Sequence, residues 1–283
     1  MPSIAIVTDT ASDLPKEAQE KYGIITVPLI VRFDKEEHLD CDLALDEFWR
    51  RARQAPPYPA TSQPSVGMFE EAFARQVEQG KEVICMTVTS KHSGTYNSAC
   101  TAAQRFSGRV TVFDTLSLSL CQSYMAISAA KAAAEGRSVA EIMSLLESLR
   151  NRTEFFLALD TIEFLRRGGR ADRIMPVLER VVRMLSIKPL LHFVDGELAP
   201  MGASRSREKA MQRIRQEIVK YGPAEMLFVI HTRSPDLAAN MAQMLAKDTG
   251  FPVEQMMVGE TGPVLSCHGG PGIIAAAIVQ RDK

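Results

Sequence analysis

The chain opens on an alternation of short apolar runs and longer amphipathic stretches. "SIAIVTD" is strand-sized, and "PKEAQEKYG" after it sets a proline at a helix start and a glycine at its end. "IITVPLIVRF" is rich in β-branched residues, whereas "DEFWRRARQ" has helical spacing. A loop with four prolines, "PPYPATSQPS", precedes the helical "VGMFEEAFARQVEQG", for which Ser65 is the expected N-cap. The strand "EVICMTV", the helix "TYNSACTAAQRF", the strand "RVTVFDT" and a long helix ending at "AAAEG" complete this half. Continuous apolar strands separated by helices predict a parallel sheet with helices on both faces.

"SVAEIMSLLESLRN" begins with a capping box, Ser138 at the N-cap and Glu141 three positions later. Near Asn151 the pattern changes. "TEFFLALD", "IKPLLHFVDGELAPMGASR", "AEMLFVIHT" and "PVEQMMVGE" supply strands, and Asp195–Gly196 between two of them predicts a hairpin turn. The amphipathic "REKAMQRIRQEIVKYG" and "DLAANMAQMLAKDTG" are suited to cover that sheet. The expectation is two α/β domains, 1–150 around the parallel sheet and 151–283 around a mixed or antiparallel sheet with helices. There is no internal repeat and no low-complexity segment.

A length of 283 residues suits two such domains, and 46% hydrophobic with 24% charged residues is ordinary globular usage. The net charge of -1 argues against a broad nucleic-acid surface, so no nucleic-acid partner is expected. The five cysteines (Cys41, Cys85, Cys100, Cys121 and Cys267) form no C-x-x-C pair and are expected to be free thiols in a reducing cytoplasm. "MPSIAIVTDTASD" lacks the basic start of a secretory leader, and the longest apolar run, "GIIAAAIV", is strand-sized. A soluble cytoplasmic protein is expected.

Five polar clusters fall where strands end. In "TDTASDLP", Asp9 ends a strand and Asp13 is placed to cap the following helix. In "ATSQPS", Thr61 and Ser62 stand just before a helix. In "SKHSGTYNSA", Ser93, Gly94 and Thr95 lie at a helix N-terminus, where free N–H groups and the helix dipole favour an anion or a carbonyl oxygen. The segment is not G-x-S-x-G, and His92 beside Ser93 is poorly placed as its base, so a cradle of donors is the better reading than a nucleophile elbow. In "LRRGGRADR", Gly168 and Gly169 permit a tight turn or a close approach, and Arg170 is placed to pair with a carboxylate or phosphate; a helix C-cap with a solvated arginine fits equally well. In "SCHGGPG", His268 stands at an accessible loop tip and is the best site candidate among the five histidines; His38, His192 and His231 are assigned to structure or surface. No metal-ligand spacing and no P-loop appear, so neither a metal nor a nucleotide cofactor is expected.

Taken in order, "TDTASDLP", "TSQPS", "SKHSGTYNSA", "FLRRGGRADR", "IKPLLHFVDGELAPMGASRSREKA" and "CHGGPG" resemble the DegV family of bacterial fatty-acid-binding proteins over nearly the whole chain. The resemblance implies the two-domain DegV-like (EDD-type) fold, with a long-chain fatty acid (palmitate, stearate or oleate) between the domains and its acyl chain in an apolar tunnel. It implies a carrier with no catalytic residue of its own. A partner fatty acid kinase would phosphorylate the bound acid for phospholipid synthesis, and a transient membrane contact would exchange the lipid. A monomer is expected. Thr61, Ser62 and Ser93 would hold the carboxylate together with Gly94 and Thr95, and His268 would lie beside it. Arg170 and Arg205 match family arginines of the head-group region or the kinase-docking surface. The chain departs from the family at Cys121 and Gln122, where glycines are usual, at His92, where a hydrophobic residue is usual, and at Cys267, where threonine is common. A different class of function stays open beside the carrier: a serine hydrolase on acyl esters, with Ser93 as nucleophile and His268 as base. A sensor without a kinase is a third.

Overall fold

The computed structural model describes residues 3–54, 56, 58–182 and 187–282. Met1 and Pro2 of the segment weighed above as a leader, and Pro57 of the proline-rich loop, lie outside the described residues. The chain divides into two compact units, Met1–Asn151 with Gly262–Val264, and Arg152–Thr261 with Leu265–Lys283.

The first unit contains, in chain order, β1 (Ile4–Asp9), α1 (Lys16–Tyr22), β2 (Ile25–Val27), β3 (Ile30–Phe33), β4 (Glu36–Leu39), α2 (Leu45–Gln54), β5 (Ala60–Ser62), α3 (Val66–Val77), β6 (Glu82–Thr87), α4 (Thr95–Ala103), β7 (Val110–Asp114), α5 (Ser119–Ala134) and α6 (Val139–Asn151). Its main sheet is parallel with strand order β2-β1-β6-β7. Strand alternation sends Ala5, Val7, Val83 and Cys85 to one face, where Phe69 and Phe73 of α3 and Ala99 and Ala102 of α4 close over them. The other face is covered by α5, which packs against β1, α1 and α6. Buried positions run all round α5, as expected of a helix sandwiched on several sides. The caps read from the sequence form. Ser65 Oγ accepts from Met68 N–H at 3.3 Å, and Ser138 and Glu141 cap each other reciprocally.

One part of this half departs from the parallel pattern. β3 leaves the main sheet and pairs antiparallel with β4 and β5 in a separate three-stranded sheet, order β4-β3-β5. Ala60–Ser62, expected to be loop, is thus an edge strand, with Val31 opposite Thr61 and Ile30 opposite Ser62. A three-residue edge strand bounded by Pro59 and Pro64 needs ladder partners on one side only, which is where proline-flanked strands are tolerated.

The second unit contains β8 (Thr153–Ala158), α7 (Glu163–Gly168), α8 (Met175–Val182), β9 (Lys188–Val194), β10 (Glu197–Ser204), α9 (Arg207–Lys220), β11 (Ala224–His231), α10 (Pro235–Thr249), β12 (Met257–Glu260), α11 (Pro263–Gly269, whose first two residues group with the first unit) and β13 (Ile274–Gln280). Its six-stranded sheet has order β10-β9-β8-β13-β11-β12. All pairs are antiparallel except β11 with β12. Asp195 (φ 49°) and Gly196 (φ 81°) make the β9–β10 turn with two left-handed residues, as a two-residue hairpin requires. Ile214 and Ile218 of α9 and Met241 and Leu245 of α10 pack on Phe156 and Leu227 of the sheet. α11 corrects an expectation. His268 does not sit at a loop tip but in the last turn of a short helix, whose proline occupies its first position. Among the described residues no helix is long and apolar enough to cross a membrane.

Candidate functional site

In the first unit, three of the five polar stretches converge at the carboxyl ends of the parallel strands, where open α/β sheets take ligands. The segment between β6 and α4 is gripped from both flanking strands. Asp9, at the end of β1, accepts from Val88 N–H at 2.7 Å, and Asp114, at the end of β7, accepts from Ser90 N–H at 3.2 Å. Thr89 N–H donates to Ser117 O at 2.9 Å, and Lys91 N–H to Thr89 Oγ1 at 3.2 Å. This bracing delivers Ser93, Gly94 and Thr95 to the start of α4. Gly94 is the N-cap and supplies no side-chain cap of its own. Ser93 Oγ lies 2.8 Å from Thr95 Oγ1 and accepts from Thr95 N–H at 3.3 Å. Gly94 lies against the neighbouring stretch: a Cβ there would stand 2.6 Å from Nε2 of Gln63, whose amide would have to shift. Gln63 directly follows Thr61 and Ser62 of β5, so the "TSQ" and "SGT" stretches are packed together.

The result is a row of hydroxyl and N–H donors beside a helix N-terminus, suited to a carboxylate or another anion. The Ser93 hydroxyl shares a hydrogen bond with the Thr95 hydroxyl, in which either can be the donor, whereas an activated nucleophile would give its proton to a base. The hydrolase alternative gains no support from this geometry.

Three acids of the first unit are electrostatically unusual. Burial is the largest influence on Asp9, Asp13 and Asp40, and it pushes them up to about 7, about 7 and about 6. Backbone and side-chain donors pull each back down only in part. Asp9 does double duty, since its other oxygen accepts from Ala11 N–H at 3.0 Å. Asp13 does not cap α1, as its position before Pro15 suggested; no side chain caps that helix. Its carboxylate accepts instead from Ser119 Oγ and from Gly262 N–H, 249 residues away.

In the second unit the other two motifs interlock around glycines. Gly168 closes α7, and a Cβ there would lie 3.1 Å from His268 Cε1 and nearer still to Nδ1, so the imidazole rests on this glycine. Gly169, at φ 62°, is the left-handed C-cap. Gly270 meets the ring of Phe164, and Gly272 meets Asp160, with no room for a side chain at either. Asp160 forms ion pairs with Lys188 and Arg207. Arg170 lies half-buried just after α7, and Arg205 is exposed in the bend before α9.

The sequence reading missed Asp114 and Gln63 as positioning residues and placed Asp9 only at the end of a strand. The signal was present, since two of the parallel strands end "VTD" and "VFD", each setting an acid at the sheet's carboxyl end. The departures are now placed. Cys121 and Gln122 are buried in the first turns of α5, with Gln122 Nε2 donating to Thr8 Oγ1 at 2.9 Å. Cys267 is buried on α11, and His92 is half-buried. Among the described residues, no group of three or more His, Cys, Asp or Glu is placed to hold a metal ion.

Comparison with known proteins gives one consistent picture. The DegV family of uncharacterised proteins matches residues 3–281. A DegV domain-containing protein of Deinococcus radiodurans is 34% identical over 282 residues, covering 98% of each chain. A DegV family protein from Thermus thermophilus, whose solved structure is described as fatty acid binding, superposes with a TM-score of 0.91 at 31% identity, over 99% of this chain and 100% of that one. DegV from Bacillus subtilis, described as a fatty acid binding protein, superposes with a TM-score of 0.84 at 27% identity, over 99% and 100%. A stearic acid-binding protein from Eubacterium ventriosum gives 0.84 at 26% identity, over 99% of both.

Proposed function

This chain belongs to the DegV family, and from that premise we propose that it is a carrier of one long-chain fatty acid and not an enzyme in its own right. The observation that carries the reading is the whole-chain likeness to the fatty-acid-binding protein of Thermus thermophilus. The donor cradle supports it chemically. Each buried methylene contributes about 0.8 kcal/mol, so apolar burial of the acyl chain supplies affinity without help from charge. The carboxylate is the expensive end, since an unpaired buried charge costs several kcal/mol. In this proposal Thr61, Ser62, Ser93 and the N–H groups at Gly94 and Thr95 offset that cost, and the family resemblance adds His268 to the same head group. Arg170 and Arg205 serve the head-group region or a docked partner. The partner is a fatty acid kinase that forms the acyl phosphate, and the carrier is a cytoplasmic monomer that meets a membrane surface only to exchange lipid. No other cofactor is needed.

Native mass spectrometry of the purified chain, followed by denaturing extraction, tests the carrier reading directly. The expected result is a stoichiometric added mass that resolves into a fatty acid. A bare protein mass, with no thermal shift on adding palmitate, stearate or oleate, overturns it. Ser93→Ala is expected to weaken fatty-acid retention about tenfold with the fold intact, the loss of one hydrogen bond to a charged group. Unchanged retention in the folded variant would remove Ser93 from the site. For Arg205→Ala, phosphorylation of the bound acid by a bacterial fatty acid kinase is expected to fall at least several-fold while lipid retention holds. An equal loss of both would assign Arg205 to the head group.

A further inference from the structure

The start of α11 is held by two carboxylates from distant points of the first unit. Asp13 Oδ1 accepts from Gly262 N–H at 2.8 Å, and Asp40 Oδ1 accepts from Val264 N–H at 3.0 Å. Pro263 between them has no N–H, so the two bonds take every backbone donor that residues 262–264 offer. The surroundings are fitted to this task. Asp13 (φ 48°) and Ser119 (φ 53°) both hold left-handed backbone, unfavourable for non-glycine residues, and Ser119 Oγ donates to Asp13. Position 262 is a glycine whose missing Cβ would stand 3.2 Å from Asp13 Oδ1.

What faces these carboxylates is acidic or neutral. Asp9 and Asp40 both repel Asp13, and Asp40 also repels Asp9. Thr10 donates to Asp40, Ser119 to Asp13 and Gln122 to Asp9. The Cys41 thiol, next to Asp42, faces Asp40, and the Cys85 thiol faces Asp9. None of these partners is basic.

We propose that Asp13 and Asp40 form a proton-operated catch that holds residues 262–264 while the carboxylates are protonated and lets them go as both ionise. An ionised carboxylate is the stronger acceptor for an N–H, which acts against release. Burial is nevertheless the largest influence on both groups and outweighs it, pushing them up to about 7 and about 6. Once released, the groups face water and titrate near the ordinary carboxylate value of about 4. Docking is therefore strongest below that value and is lost as pH rises toward 7. Each group contributes up to about tenfold per pH unit inside its own window. His268 lies on the same helix, four residues beyond Val264, so freeing the first turn loosens the histidine. That link to the ligand rests on the head-group assignment of His268; the catch does not.

Hydrogen exchange of the full-length chain between about pH 5 and pH 7, corrected for the intrinsic rate, reads the catch with or without lipid. Protection at the Gly262 and Val264 amides is expected to fall at least tenfold across that range. The Ile84 amide, in the core of the first unit, is expected to fall less. In an Asp13→Asn/Asp40→Asn double variant the slope at 262 and 264 is expected to flatten. Protection at 262 and 264 that ignores pH in the natural chain overturns the proposal, even if the double variant fails to fold. So does a fall shared equally by Ile84, which would be unfolding of the whole unit.

Discussion

Replacing Asp9 by alanine is expected to destabilise the protein by roughly 2–6 kcal/mol in urea titrations at about pH 5, and by less at about pH 8. The carboxylate satisfies two backbone donors, Val88 N–H at 2.7 Å and Ala11 N–H at 3.0 Å, in a fully buried position. Alanine leaves both without a partner, and each such group costs about 1–3 kcal/mol. The pH dependence follows from the direction of the shift. Burial lifts Asp9 in the folded chain to about 7, above its unfolded value, so its native state gains stability that is fully present at low pH and is lost as pH rises through about 7. The variant has no such loss, so the gap between the two proteins narrows on the alkaline side by roughly 1–4 kcal/mol. An identical gap at both pH values would mean that Asp9 is ionised throughout. The same substitution removes one of the two grips on the segment that carries Ser93, so fatty-acid retention is expected to drop with stability.

Gly168→Ala is expected to lower fatty-acid retention at least tenfold with little loss of stability. The glycine lies in the last turn of α7 with ordinary helical backbone, so alanine introduces no φ strain and gains up to about 1 kcal/mol in helix propensity. The new methyl, however, occupies space that the His268 ring now fills, and the ring must move away. Gly169→Ala is the matched control. Its φ of 62° makes alanine unfavourable, yet the nearest atom a Cβ would meet is Asp172 Oδ2 at 3.9 Å, leaving His268 in place. The expected contrast is a variant with impaired retention and normal stability against one with normal retention and stability lower by about 1 kcal/mol. If Gly168→Ala retains lipid as the natural chain does, His268 has no part in holding the head group.

Legibility in the sequence followed the range of the forces involved. Helices with complete local signals, such as α3 behind Ser65 and α6 behind the Ser138–Glu141 box, were readable because caps and periodicity act within a few residues. β5 was not readable. Its three residues carry no period, and their strand state comes wholly from pairing with β3. α11 was obscured by the glycines that follow it, although Pro263 at its first position was a usable signal. The donor row at Ser93–Thr95 could be placed from the strand-to-helix transition alone. The role of Asp13 could not, because its partner at Gly262 is supplied by tertiary folding and no local rule links them.

The non-contiguous make-up of the first unit bears on how the protein is made. As the chain leaves the ribosome, residues 1–151 emerge together, yet the donors for Asp13 and Asp40 emerge only with Gly262 and Val264. Until then both acids lack the backbone donors that Gly262 and Val264 supply. The first unit is therefore complete only after most of the chain has been synthesised. A fragment cut after Asn151 would stay in that unfinished state for good.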